Sequence, residues 1–438
     1  MKFFTEYALL PTGLANNVTV EVVDGRFSQV SADSAPLDAT RLPGVLVPGF
    51  ANCHSHAFHR ALRGRTSDDG GDFWTWRQRM YAVAARLDPD SYLALARATF
   101  AEMALSGVTS VGEFHYLHHA PGGAHYSDPN AMAEALRQAA VDAGIRLTLL
   151  DTCYLAGGLN AEGHLPLDNI QLRFADRNAD SWANRVAELK LSSGMQLGTA
   201  IHSVRAVPRE QIPQVVLAAA NGVLHVHLSE QPAENDACQA FYGCSPTALL
   251  DDAGALRPRT TAVHATHLTD LDIGTLARTG TTTCFCPTTE RDLADGIGRA
   301  RALLDAGATL SLGSDQHTVI DLLEEARALE MHERLISLQR GRFQPTELLT
   351  ALTRHDSIGW DSGRLEVGAA ADLVSIRLDT PNNAGVDPAG ILLTASRADI
   401  DSVMVDGRLI VSGGQHVLGH VGSLLRAAIL PLWRDDPS

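Results

Sequence analysis

Eight short apolar segments rich in β-branched residues recur through the middle of the chain, at 46–55, 108–116, 146–154, 196–204, 223–228, 261–268, 281–286 and 309–314. Amphipathic stretches of helical period fill the intervals, among them 91–105, 130–143, 210–220, 293–305 and 321–336. Strand and helix in alternation leave few solutions, because parallel strands need crossovers and the crossover helices must cover the sheet. Eight repeats suffice to close that sheet on itself. The fold class predicted is α/β, a (β/α)8 TIM-type barrel.

Both ends of the chain read differently. Residues 18–23 form a β-branched run, Asp24 and Gly25 signal a tight turn, and 27–30 can return antiparallel. The same texture recurs at 372–376, 402–405 and 408–411, with Asp406 and Gly407 between the last two. Neither end can bury its own faces, so the two are expected to build one small β-sandwich together. The predicted division is 1–45 with 365–420 as the composite sandwich, 46–364 as the barrel, and 421–438 as a C-terminal tail of which only 435–438 reads as loose. The Gly- and Asn-rich stretch 155–180 follows a barrel strand and reads as an active-site loop.

A chain of 438 residues with 45% apolar side chains can fill one large domain and a smaller appendage. Its net charge of −16 disfavours nucleic acid and anionic membrane surfaces as partners. A site for an acidic substrate must therefore gather arginines locally. The six cysteines are scattered and read as ordinary thiols of a reducing cytoplasm. No signal peptide and no apolar run long enough for a membrane span is read.

In such a barrel, chemistry collects where the strands end. The first strand ends on His54 and His56, two imidazoles on one face of a strand. The fifth ends on His225, His227 and Glu230, the sixth on His264 and His267, the eighth on Asp315 and His317. One such histidine is commonly a satisfied core residue. Four strands ending alike point to metal catalysis, since imidazole and carboxylate together suit a divalent transition metal. By strand parity both His225 and His227 remain candidates. Glu113, His115, His118 and His119 crowd the second strand, and the complete set elsewhere argues against a second ion there.

The order His-x-His, His-x-x-Glu, His, Ser-Asp resembles the aminohydrolase branch of the amidohydrolase superfamily. No lysine ends strand four, so the resemblance implies the mononuclear arrangement: His54, His56, His227 and Asp315 around one Zn2+ per subunit, with Fe2+ as the alternative. It also implies Glu230 as proton shuttle, with His264 and Asp315 as its catalytic companions. The stretches 54–65, 73–77, 112–118, 202–205, 227–231, 286–290 and 395–399 are similar to the formimidoylglutamate deiminases, which turn N-formimidoyl-L-glutamate and water into N-formyl-L-glutamate and ammonia in histidine degradation. That resemblance implies a small anionic substrate held by Arg205, His202 and Tyr116, and a homodimer in which Arg77 reaches the neighbouring subunit's site. Some members carry glutamine where this chain has His59, and both side chains can hydrogen-bond, so His59 joins the substrate-binding candidates. Phe73, Trp74 and Trp76 read as core or dimer packing. Two other readings are a deaminase of a nucleobase-like ring, which calls for an aromatic pocket without carboxylate donors, and a silent scaffold, which would have lost ligands that this chain retains.

Overall fold

A computed structural model describes residues 1–66 and 73–434, the side chains of residues 73 and 74 excepted. The eight barrel strands are β1 (Phe50–Ser55), β2 (Val108–His115), β3 (Arg146–Cys153), β4 (Met195–Ile201), β5 (Leu224–Leu228), β6 (Thr260–His264), β7 (Thr282–Phe285) and β8 (Thr309–Leu312). They pair in parallel in chain order. Every residue of β1, β2 and β3 is buried, as a parallel sheet covered by helices requires.

The seam between β8 and β1 is closed just beyond β8. Asp315 donates its backbone N–H to the His54 carbonyl (3.0 Å) and accepts from the His56 N–H (3.1 Å). Gly313 makes the approach possible: a Cβ there would lie 2.8 Å from the His54 backbone oxygen.

The stretch 46–55, read as one strand, is two strands in two sheets. Val45–Pro48 joins the terminal sheet and β1 begins at Phe50. Pro48 has no N–H to continue a ladder, and a Cβ on Gly49 would lie 2.4 Å from Thr109. The segment 293–305 is likewise not one helix. Helix Pro287–Asp292 ends first, and Ala300–Asp305 follows a loop containing Gly296 at φ +114°.

Strands from both ends of the chain make one nine-stranded sheet, in which Leu373–Ile376 pairs antiparallel with Val45–Pro48. The turns expected at Asp24-Gly25 and Asp406-Gly407 connect its antiparallel hairpins. Phe3, Val18, Val22, Phe27, Leu373 and Met404 share its core. Arg146, at the start of β3, donates to buried Asp372 and to Asp406, tying barrel to sheet.

Helix Pro89–Leu105 starts on a capping box of Asp88 and Ser91 with proline at its first turn. The segment after 420 forms a docked helix, Val421–Ile429, whose following turn donates Trp433 Nε1–H to the Ala61 carbonyl at 3.1 Å. The stretch 155–180 carries a small hairpin, Gly158–Asn160 with Gly163–Leu165, and a turn at Gln171–Arg173. Arg173 is buried, and its guanidinium donates to the carbonyls of His119 (2.8 Å), Leu87 (2.7 Å) and Ala84. It thereby fastens that stretch to helix Phe73–Arg86 and to the segment after β2.

Candidate metal centre and active site

Three imidazoles and a carboxylate meet at the C-terminal mouth of the barrel. His54 Nε2 lies 3.2 Å from His227 Nε2 and 3.3 Å from Asp315 Oδ1, and His56 Nε2 lies 3.4 Å from the same oxygen. An ion with four bonds of about 2.1 Å keeps its tetrahedral corners roughly 3.4 Å apart. The donor set fits such an ion. The His56 and His227 Nδ1 atoms lie 2.9 Å from the carbonyls of Phe114 and His202. Those carbonyls fix the proton on Nδ1 and turn Nε2 inward with its lone pair. Burial pushes His54 down to about 3, lowers His56 and drops His227 well below the ordinary imidazole range. All three are neutral, the form that binds a metal. Burial pushes Asp315 up, but the His54, His264 and His56 side chains gathered around it outweigh this and hold the carboxyl well below the carboxylate range.

The backbone is strained at the same place. Asp315 has φ +42°, His264 +68° and Ser229 +49°, left-handed values at non-glycine residues.

Beside the metal set lie Glu230 and His264. His264 Nε2 is 3.7 Å from Glu230 Oε1 and 3.9 Å from Asp315 Oδ2, and its Nδ1 is 3.5 Å from Glu290 Oε1. Burial lowers this imidazole, yet Glu230, Glu290 and Asp315 together raise it to about 10. Glu290 is fixed in turn by accepting the Cys286 N–H at 2.8 Å. Glu230 Oε2 accepts from Arg205 Nη2 at 2.9 Å. Arg205 Nε is also 2.9 Å from Oε2 of Glu234, whose other oxygen accepts the Ser229 N–H at 2.9 Å.

A pocket opens over this centre, lined by His56, His227, Glu230, His264 and Asp315 together with the expected His59, Tyr116, His202, Arg205 and Arg77. His59 Nε2 and the Tyr116 hydroxyl are 2.8 Å apart. Burial, with the neighbouring Arg205, holds His202 well below its ordinary value. Arg77 lies over the Tyr81 ring and lines the pocket of its own chain. Helix Phe73–Arg86 packs against the turn Ala57–Leu62 that follows β1, which brings Arg77 over the pocket of its own chain.

Other expected residues lie apart. His225 Nε2 reaches the Ser357 carbonyl (3.0 Å) and His267 Nε2 the Asp295 carbonyl (2.8 Å). Glu113 accepts from Ser55 and from the Ala57 N–H. His115 and His118 do meet Asp151, but that carboxylate is already engaged by Arg185 (3.0 and 3.1 Å) and Trp182 (2.9 Å). Trp76, whose side chain was read as core or dimer packing, lines the pocket; the side chains of Phe73 and Trp74 lie outside the described residues. Sequence reasoning missed Glu234, Glu290, Tyr154 and Phe174. Tyr154, immediately beyond a barrel strand, could have been found by the rule that found the others.

The profile of the amidohydrolase family matches residues 45–410. The chain belongs to the amidohydrolase family. It is 35% identical to the formimidoylglutamate deiminase of Pseudomonas aeruginosa over 94% of this chain and 95% of that one. Among solved structures, an amidohydrolase from Brucella melitensis superposes with a TM-score of 0.91 at 31% identity, covering 98% of this chain and 99% of that one. An adenosine deaminase from Xanthomonas campestris with bound zinc has a TM-score of 0.83 at 22% identity, covering 99% and 97%. The protein is a hydrolase of carbon–nitrogen bonds, of a family whose members bind a divalent metal. No helix among the described residues is long and apolar enough to cross a membrane.

Proposed function

We propose that this amidohydrolase hydrolyses N-formimidoyl-L-glutamate to N-formyl-L-glutamate and ammonia, a reaction of histidine degradation in the cytoplasm. The observation that carries the reading is the pair Arg77 and Arg205 lining one pocket beside the metal set, in a chain of net charge −16. A dicarboxylate needs such cations, and a guanidinium meets a carboxylate with two parallel donors. Tyr116 and His202 add polar donors to the same wall. The similarity to a formimidoylglutamate deiminase supports the same substrate.

In this reading His54, His56, His227 and Asp315 hold one Zn2+, or Fe2+, per subunit. The ion supplies the acidity that brings the pKa of water to about 7. Asp315 takes the proton that the attacking water sheds. Glu230 carries the two protons of the water in turn to the formimidoyl nitrogen, one as the new C–O bond forms and one as the hydroxyl becomes the formyl carbonyl, and the nitrogen leaves as ammonia when the C–N bond breaks. His264, kept protonated by its three carboxylate neighbours, donates a hydrogen bond where negative charge gathers. Trp76, Tyr154 and Phe174 line the pocket and limit the access of bulk water.

The proposed working form is a homodimer whose subunits each carry their own Arg77. Mixed dimers of Arg77→Ala and Arg205→Met subunits are then expected to regain no activity beyond that of the parents. The proposed division takes 49–364 as the catalytic unit, 1–48 with 365–420 as its companion and 421–438 as a C-terminal segment. Because the strand Val45–Pro48 pairs within the terminal sheet, the proposed catalytic unit begins just after it, at Gly49.

The deciding experiment is ammonia release by zinc-loaded protein given N-formimidoyl-L-glutamate, N-formimidoyl-L-aspartate or a panel of nucleobases. Turnover of formimidoyl-glutamate is expected. Turnover of a ring substrate alone would leave the metal centre standing and overturn the assignment of the arginines.

A further inference from the structure

The arginine offered to the substrate is already occupied, and by the proton shuttle itself. Arg205 Nη2 donates to Glu230 Oε2 at 2.9 Å, while its Nε sits 2.9 Å from Glu234. The two carboxylates hold it unequally. Glu234 is fully buried, stands in the first turn of helix Pro232–Tyr242 and has its second oxygen fixed by the Ser229 N–H. Glu230 lies beyond the end of β5, and among the described residues its second oxygen has no hydrogen bond and an ion-pair neighbour, His264 Nε2, at 3.7 Å. Of the two partners Glu230 is the one built to let go.

We infer that Arg205 is an interlock: it ties up Glu230 until a substrate carboxylate takes Glu230's place on the guanidinium, while Glu234 keeps the guanidinium on the pocket wall throughout the exchange. This rests on the reading of Glu230 as the proton shuttle of a deiminase. With Oε2 held by the guanidinium and Oε1 turned toward His264, the Glu230 carboxylate is pinned and cannot swing between the attacking water and the formimidoyl nitrogen, as a proton shuttle must. The site is therefore idle toward an amidine that lacks the carboxylate, even one small enough to reach the metal centre. Discrimination then lies in turnover as well as in binding, which is how an induced rearrangement selects a substrate. Simple binding by Arg205 predicts otherwise: it lowers KM for the carboxylate substrate and leaves kcat unchanged for a ligand that never touches it.

The probe is formamidine, hydrolysed to formamide and ammonia with the same bonds made and broken and no carboxylate present. In wild-type protein its kcat is expected to be low and to rise about tenfold when glutarate, a dicarboxylate without the reacting group, is added. Arg205→Met is expected to raise kcat for formamidine by about the same factor in the absence of glutarate, and to abolish the response to glutarate, with bound metal unchanged. Wild-type protein on which glutarate has no effect or only inhibits formamidine turnover would overturn the interlock, and that measurement needs no variant to fold. An Arg205→Met protein no faster than wild type on formamidine, with its metal in place, would overturn it as well. Failure of the substrate assignment has a different signature: no turnover of N-formimidoyl-L-glutamate, whatever formamidine shows.

Discussion

Arg173 offers a test of how much the pocket depends on its supports. Its guanidinium donates to the carbonyls of His119, Ala84 and Leu87 and to the Tyr126 hydroxyl (3.2 Å), so one side chain joins three segments. Arg173→Met removes all four hydrogen bonds while keeping an unbranched apolar stem. At about 1 kcal/mol net for each, the loss is about 4 kcal/mol. The relief from no longer burying a cation offsets part of this, since burial already lowers the Arg173 pKa. A net destabilisation of about 3 kcal/mol remains. For 438 residues, at about 2.1 cal/mol/K each, the unfolding entropy near the midpoint is about 0.9 kcal/mol/K, so Tm falls by about 3 °C. The larger consequence is local. Ala84 lies on the helix that carries Arg77, so KM for the formimidoyl substrate rises about tenfold while kcat changes little. Thermal unfolding monitored by circular dichroism, paired with steady-state ammonia release, reads both quantities. A variant with unchanged Tm and KM would refute the claim that Arg173 fastens the pocket wall; a fall in kcat alone would place its action on the chemistry instead.

Glu230→Gln is expected to retain metal and lose about 10²- to 10⁴-fold in kcat, the range of a general acid–base group; near-normal turnover would remove its role. Arg77→Ala raises KM with kcat nearly kept, read by the same assay. Removing the metal with a chelator abolishes activity and lowers Tm, and metal analysis of the reloaded protein returns one equivalent; His56→Ala binds less than wild type under the same loading. Glu290→Gln deletes one of the three carboxylates that raise His264 to about 10. The His264 proton is then lost at lower pH, so the alkaline limb of the kcat profile moves toward neutrality, and an unmoved limb would show that His264 acts without its proton.

The metal set was legible because a parallel barrel brings all its strand ends to one rim, so the rank of a residue along its strand already gives its height. His54, His56, His264 and Asp315 need little beyond that rule, whereas strand parity left His225 beside His227 and the family resemblance chose between them. Glu234 and Glu290 escaped it because each sits in the first turn of a helix following the rim, where its partner depends on the path of the connecting loop. The break at Pro48-Gly49 was hidden by an apolar run that continues across it, with two sheets sharing one hydrophobic word. Sequence similarity reports that an arginine is needed at the site and is silent about which subunit supplies Arg77. Arg173 carries no sequence signal, since its partners are backbone carbonyls that any residues could provide.

The seam of the barrel makes the metal centre a record of completed folding. Asp315 exchanges backbone hydrogen bonds with His54 and His56, and the neighbouring Asn52–Ser314 contact joins residues 262 apart in the sequence. A chain that has built seven strands owns three of the four proposed ligands and lacks the geometry that makes them one site. Tight ion capture therefore belongs to the last act of assembly rather than to a nucleus that guides it. In a refolding reaction the appearance of bound metal should keep time with closure of the sheet, trailing the formation of helices.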